Sequence, residues 1–194
     1  MKKKVVLEIA IIGIMAALAI VLEKFSFPRG NSYLKFTFYG LPLLVVGCMY
    51  GARVGLITGI VSSFIMQLTS EYGLTITTPL WMIAPICWGG VSGLVFYLLK
   101  RKNNIPNMII VSFVTSIFAT LFNTVAMILE GLIFGGSYYA LSNILANLPP
   151  RLISMVILAI CYTFILWILI KRLSFLTPDA SINEETDESD EEAL

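Results

Sequence analysis

Residues 148–172 read LPPRLISMVILAICYTFILWILIKR, and between Arg151 and Lys171 lie nineteen residues without a charge. Nineteen helical residues at 1.5 Å each reach about 28 Å, close to the roughly 30 Å hydrocarbon core of a bilayer. Proline fits the first turn of a helix, where its missing N–H is not needed, so Pro149-Pro150 open the segment. A stretch this long and this apolar has lipid as its solvent.

Five further apolar segments precede it: Val5 to about Leu22, about Tyr39 to Tyr50, the stretch from the Gly51-Ala52-Arg53 turn to about Leu68, Pro79 to Leu99, and Met108 to Leu129. The second is short. The first follows Lys2–Lys4 and mimics a secretory signal, but no small-residue cleavage site precedes Glu23-Lys24, so it reads as a retained helix. The composition agrees: 58% of the 194 residues are hydrophobic and 13% charged, with a mean hydropathy of +0.88, against about 25% charged residues in a soluble domain. The expected fold is an all-α integral membrane protein, with six transmembrane helices in residues 1–176.

Charge is distributed unevenly. Eight of the 12 acidic residues fall between Asp179 and Glu192, leaving Glu8, Glu23, Glu71 and Glu130 against all 13 bases in the preceding body. The overall +1 therefore divides into a body of +9 and a tail of −8. Residues 177–194 are expected to be a disordered acidic tail. In a six-span topology Lys2, Lys3, Lys4, Arg53, Lys100, Arg101, Lys102, Lys171 and Arg172 share one side, and Lys24, Arg29, Lys35 and Arg151 lie towards the other. Basic loops stay in the cytoplasm, so both termini are expected there and the connections 23–38, 69–78 and 130–147 outside.

Several chemistries are excluded. The chain has no histidine, which closes histidine-based catalysis and metal binding. Cys48, Cys87 and Cys161 sit singly in apolar runs and read as small buried hydrophobes. No G-x-x-x-x-G-K-[ST] phosphate loop and no G-x-S-x-G elbow occur, and no paired acids lie within the spans. Function by binding is what remains, and no enzymatic activity is expected.

Ionisable and polar groups within spans are costly and mark functional candidates. Arg151 opens the last span, where its guanidinium either forks onto a carboxylate or phosphate or snorkels to lipid headgroups. Asn123 lies in the fifth span, and its amide needs a partner on another helix or a ligand. Gln67 and Glu71 close the third span. Trp81 and Trp88, seven apart around Pro85, fall on roughly one face of the fourth span, where Trp81 also fits an aromatic belt at the interface. Together these residues are expected to line an outward-facing pocket. A second pattern is small residues: Gly13 and Ala17 in the first span, and Gly51, Gly55 and Gly59 leading into the third. Such stripes allow close helix approach. The third-span glycines read as internal packing; Gly13 and Ala17 read equally as packing or as a docking surface for a partner protein.

Across residues 5–172 the chain resembles the substrate-binding (S) components of energy-coupling factor (ECF) vitamin transporters. The shared features are six spans, a long first outer loop, and the small stripe Gly13-Ile-Met-Ala-Ala17, where the family has Ala-x-x-x-Ala. The folate-type S components are the nearest, through the Leu-Lys-Phe entry to Leu41-Pro42, the pair Asn123-Thr124, and the run Leu148 to Ile153. Before the fourth span those proteins carry a Tyr-Phe-Pro-Gly-Phe-like stretch, where this chain has Glu71-Tyr72-Gly73-Leu74-Thr75-Ile76; the departure bears on the vitamin more than on the fold. The resemblance implies capture of an external B-group vitamin at a bacterial plasma membrane, without a cofactor, energised by two ATPase subunits and a coupling membrane subunit. Folate is the first choice, with its carboxylates on Arg151, its pterin on Trp81 or Trp88 with Asn123 and Gln67, and Lys35 or Arg29 on a covering loop. Pantothenate, riboflavin or a pyrimidine precursor are the alternatives. A small multi-span scaffold of the MreD type is the competing reading from another class.

Overall fold

A computed structural model describes residues 2–25, 27–28, 35–70, 73–134 and 141–173. Its helices are α1 (Lys2–Lys24), α2 (Gly40–Tyr50), α3 (Ala52–Leu68), α4 (Thr78–Leu98), α5 (Ile105–Phe134), α6 (Leu141–Ala146) and α7 (Leu148–Leu173). Between α1 and α2, β1 (Phe27–Pro28) and β2 (Lys35–Phe36) form a two-residue antiparallel ladder with Phe27 opposite Phe36. The expected all-helical membrane bundle is present.

The six expected segments do not become six equal spans. Among the described residues, four helices are long and apolar enough to cross a bilayer: α1 from Val5, α4, α5 and α7. The other two, α2 with 11 residues and α3 with 17, are shorter. At 1.5 Å per residue α2 covers only about 16 Å. Nine of its residues are buried, so protein rather than lipid surrounds its backbone, and a helix in that position need not match the bilayer. Gly51, at φ +87°, makes the sharp turn between α2 and α3 that a residue with a Cβ rarely adopts.

Two boundaries differ from expectation. α5 continues past Leu129 to Phe134, which places Glu130 within a helix rather than in a loop, because Leu132, Ile133 and Phe134 carry the apolar run onward. The stretch 130–147 also contains α6, whose Ile144 is buried.

At the centre is α4, which packs against α2, α3 and α5, while α7 rests on α5 and α2, and α1 on α3 and α2. The seam between α2, α3 and α4 is backbone against backbone. A Cβ on Gly55 would collide with the carbonyl of Gly89, one on Gly47 with Gly89 and Ser92, and one on Gly59 would stand 2.8 Å from Ile86 Cα. The third-span glycines Gly55 and Gly59 thus pack within the chain. Several buried hydroxyls bond to their own helices: Thr58 donates to the Val54 carbonyl (2.8 Å), Ser92 to Trp88 (2.6 Å), Ser116 to Ser112 (2.7 Å) and Thr163 to Ala159 (2.8 Å), whereas those of Ser112 and Thr115 on α5 have no partner among the described residues. Small polar residues bonded in this way sit at helix interfaces with their hydroxyls satisfied.

Outward faces are apolar, with Leu56, Ile60 and Phe64 on α3 and Leu121 and Val125 on α5 exposed, as lipid solvation requires. Cys48 and Cys87 are buried as expected, whereas Cys161 is exposed on α7; the apolar run around it faces outward at that position. The helix least covered by the rest of the chain is α1. It turns Ala16 and Ala19 inward and leaves Gly13 and Ala17 exposed, and a Cβ on Gly13 would meet nothing within 4 Å.

Candidate functional site

One end of the bundle gathers the C-termini of α1, α3 and α5 and the N-termini of α4 and α7. Lys24 at the end of α1 donates to the Thr69 carbonyl beyond α3 (2.9 Å) and pairs with Glu23 (3.4 Å), tying those two helices together. Nearby, side chains join α5 to α4 and to α7.

Helix α5 carries Asn123, Met127 and Glu130, spaced i, i+4 and i+7 and so on one helical stripe. Glu130 bonds across to α4. Its Oε2 accepts from the Trp81 indole N–H at 2.8 Å, and its Oε1 accepts from the Thr77 hydroxyl at 3.3 Å. Thr77 is fully buried and its hydroxyl shares a 3.0 Å hydrogen bond with that of Thr75, whose backbone N–H donates to the Thr78 hydroxyl (2.8 Å). The approach to α4 is thereby fastened to α5 through one carboxylate. One turn back along α5, Arg151 of α7 directs Nη1 to the Met127 sulfur at 2.8 Å. A thioether is a weak acceptor. Neither Arg151 nor Glu130 forms an ion pair among the described residues. Both are half-buried.

Of the expected residues, Arg151 and Trp81 make these contacts, and Asn123 shares the α5 stripe of Met127 and Glu130. Asn123 is half-buried and eleven residues from the end of α5, about 16 Å along the axis; the longer helix puts it deeper than the shorter expected span does. Trp88 lies two turns along α4 from Trp81 and belongs to the core. It is 9% exposed and stands edge-on to Tyr162, with centroids 5.4 Å apart and planes at 74°. A Cβ on Gly40 would approach its ring to 2.9 Å. Tyr162 in turn donates its hydroxyl to the Thr37 carbonyl at 3.0 Å, so Trp88 and Tyr162 hold the chain that leads from β2 into α2.

Gln67 is half-buried in the last turn of α3, where its carbonyl accepts from the Ser70 hydroxyl at 2.8 Å. Because α3 packs on α1, α2 and α4, Gln67 stands on a different side of α4 from the indole of Trp81, which reaches α5. Lys35 has its backbone in β2, but its side chain lies outside the described residues, as do Arg29, Glu71, Tyr72 and the tail 177–194. The described residues hold no group of three potential metal ligands.

Glu130 is the residue that sequence reasoning passed over. A signal was present: an acid seven residues after Asn123, on the same helical face.

Comparison with known proteins places this bundle. The family described as ECF transporter, substrate-specific component, matches residues 7–176. The chain belongs to that family, a class of transporter substrate-binding components, and the scaffold alternative falls. Among solved structures it is similar to "Crystal structure of FolT bound with folic acid", with a TM-score of 0.64 at 21% identity, covering 83% of this chain and 90% of that one. At that identity the likeness is one of fold. No curated protein matches the sequence.

Proposed function

We propose that this chain captures folate from outside the cell and works with an ECF coupling membrane subunit and two ATPases. The reading places it in a bacterial plasma membrane, with six membrane segments, cytoplasmic termini, and the Trp81–Glu130–Arg151 end facing outward. One observation carries the ligand class. Arg151 is half-buried against Met127, with no acid paired to it among the described residues, and a desolvated guanidinium in that state is suited to a ligand carboxylate. Folate ends in two carboxylates and begins in a flat pterin ring, which Trp81 can stack and Asn123 can hydrogen-bond. The similar fold of a FolT bound with folic acid favours folate over pantothenate or riboflavin.

In this reading Trp88 supports the site from the core, and Lys35 belongs to the loop that covers it. Gly13 and Ala17, exposed on α1, form the face that docks on the coupling subunit. The test is isothermal titration of the purified protein in detergent with folate, pantothenate and riboflavin. Folate is expected to bind most tightly. Binding of pantothenate or riboflavin in preference to folate overturns the choice of vitamin, and binding of none overturns the capture role.

A further inference from the structure

Glu130 and Arg151 carry opposite charges at one end of the bundle and engage α5 positions only one turn apart, yet they do not neutralise each other. A half-buried carboxylate near the end of a span is costly and marks a functional candidate, and Glu130 gives each of its two donors a separate oxygen. A carboxylate offers about four acceptor directions, of which the Trp81 N–H takes one at 2.8 Å and the Thr77 hydroxyl one on the other oxygen, at 3.3 Å. Each oxygen keeps a lone pair. Acceptor capacity beside an aromatic plane, with a guanidinium on the adjoining helix that no described acid neutralises, fits a ligand with two unlike ends: a flat ring bearing adjacent N–H donors, and an acidic tail.

Resting on the folate reading above, we propose that Glu130 is the specificity-determining residue of the site, accepting the paired N–H donors of an aminopyrimidinone ring (ring N–H and exocyclic NH2) while Arg151 holds the carboxylate end. Trp81, fixed by the same carboxylate, is the plane on which the ring lies. Glutamine at this position cannot replace the carboxylate, because it presents one oxygen and one N–H2 to a ligand edge made only of donors.

The test pairs two ligands with two proteins. Folate and a folate analogue lacking the 2-amino group are titrated into wild type and Glu130→Gln in the same detergent. Wild type is expected to prefer folate by roughly 10- to 100-fold, the range of a charge-assisted hydrogen bond. Glu130→Gln is expected to lose most of that preference by weakening folate more than the analogue, which offers the carboxylate only its ring N–H. A variant that binds folate as wild type does overturns the proposal. So does one that weakens both ligands equally, because Glu130 then acts only by holding Trp81. Wild type that binds neither ligand overturns the folate reading itself, a different outcome. Glu130→Asp guards against a misfolded glutamine variant: it keeps both acceptors and is expected to retain the preference for folate at reduced affinity, and its loss of all preference with a wild-type melting temperature counts against the proposal.

Discussion

Replacing Arg151 with alanine separates a ligand-binding arginine from a structural or lipid-facing one, because its surroundings give the roles opposite signatures. Within the protein the substitution removes the 2.8 Å approach of Nη1 to the Met127 sulfur, a weak acceptor. No ion pair among the described residues is broken, so none of their acids is left without its partner. The variant also removes a half-buried charge whose desolvation costs the ligand-free protein stability. The melting temperature of ligand-free Arg151→Ala is therefore expected to equal or slightly exceed that of wild type. The bound state loses a charge-assisted, forked hydrogen bond to a carboxylate, on the order of 1.5–3 kcal/mol, so the Kd for folate is expected to rise by roughly 10- to 150-fold. Arg151→Lys is expected to recover only part of this, since an ammonium is a point charge without the planar fork. Isothermal titration and thermal unfolding in one detergent read both quantities. Unchanged affinity in Arg151→Ala returns the residue to lipid headgroups, and a large fall in ligand-free melting temperature makes it structural.

Other substitutions probe the rest of the bundle. Gly55→Ala forces a Cβ into the Gly89 carbonyl and is expected to cost about 1–3 kcal/mol or more in thermal stability and to lower yield, whereas Gly13→Ala, with open space around it, is expected to leave both unchanged. Tyr162→Phe removes the 3.0 Å hydrogen bond to the Thr37 carbonyl and is expected to destabilise the protein by about 1–3 kcal/mol, measured by thermal unfolding; an unchanged melting temperature refutes an anchoring role. Ala17→Trp on the exposed face of α1 is expected to keep the folate affinity of the purified protein and abolish uptake by cells, because an indole holds a partner helix off by several ångströms at an interface that normally closes to about 8–10 Å. Loss of both affinity and uptake assigns Ala17 to packing within the chain.

What could be read from the sequence is what depends on neighbours along the chain. The nineteen uncharged residues after Arg151 become α7, Pro149-Pro150 stand in its first turn, and Gly51 turns the chain between two apolar segments. Each of these follows from helix rise, proline geometry or backbone freedom over a few residues. The end of α5 was not legible in the same way. An acid at position 130 looks like the end of a span, because a carboxylate alone in hydrocarbon is costly. The apolar Leu132, Ile133 and Phe134 carry the helix on, and Glu130 is tolerated within it because it finds donors on α4 and just before it, 49 and 53 residues away in sequence. α6 lay hidden in a stretch that looked like loop because it is only six residues long.

The site shows the same division more sharply. Residue type and depth single out Arg151, Trp81 and Asn123 as candidates, since charge, indole and amide within a span each need a reason. Their neighbours could not. Heptad spacing put Trp81 and Trp88 on one face of α4, but a helix face meets different partners at different levels: α5 and Glu130 near its start, then Tyr162 and Gly40 two turns on. The two indoles consequently do different work, one beside a carboxylate at the mouth of the bundle and one inside its core. The approach of Arg151 to Met127 likewise spans 24 residues, and no local pattern announces a methionine as the resting place of a guanidinium. That placement has a thermodynamic consequence. A guanidinium resting on a thioether gives up little when a carboxylate arrives, so most of a new charge-assisted bond remains as binding energy. An arginine already paired with an acid would first have to break that pair, leaving a buried charge uncompensated. The same reasoning applies to Glu130, whose bonds to Trp81 and Thr77 use only part of its acceptor capacity. Both charged groups are thus held in position by weak or partial partners, an arrangement that favours a ligand bridging the two over a salt bridge closing the site on itself.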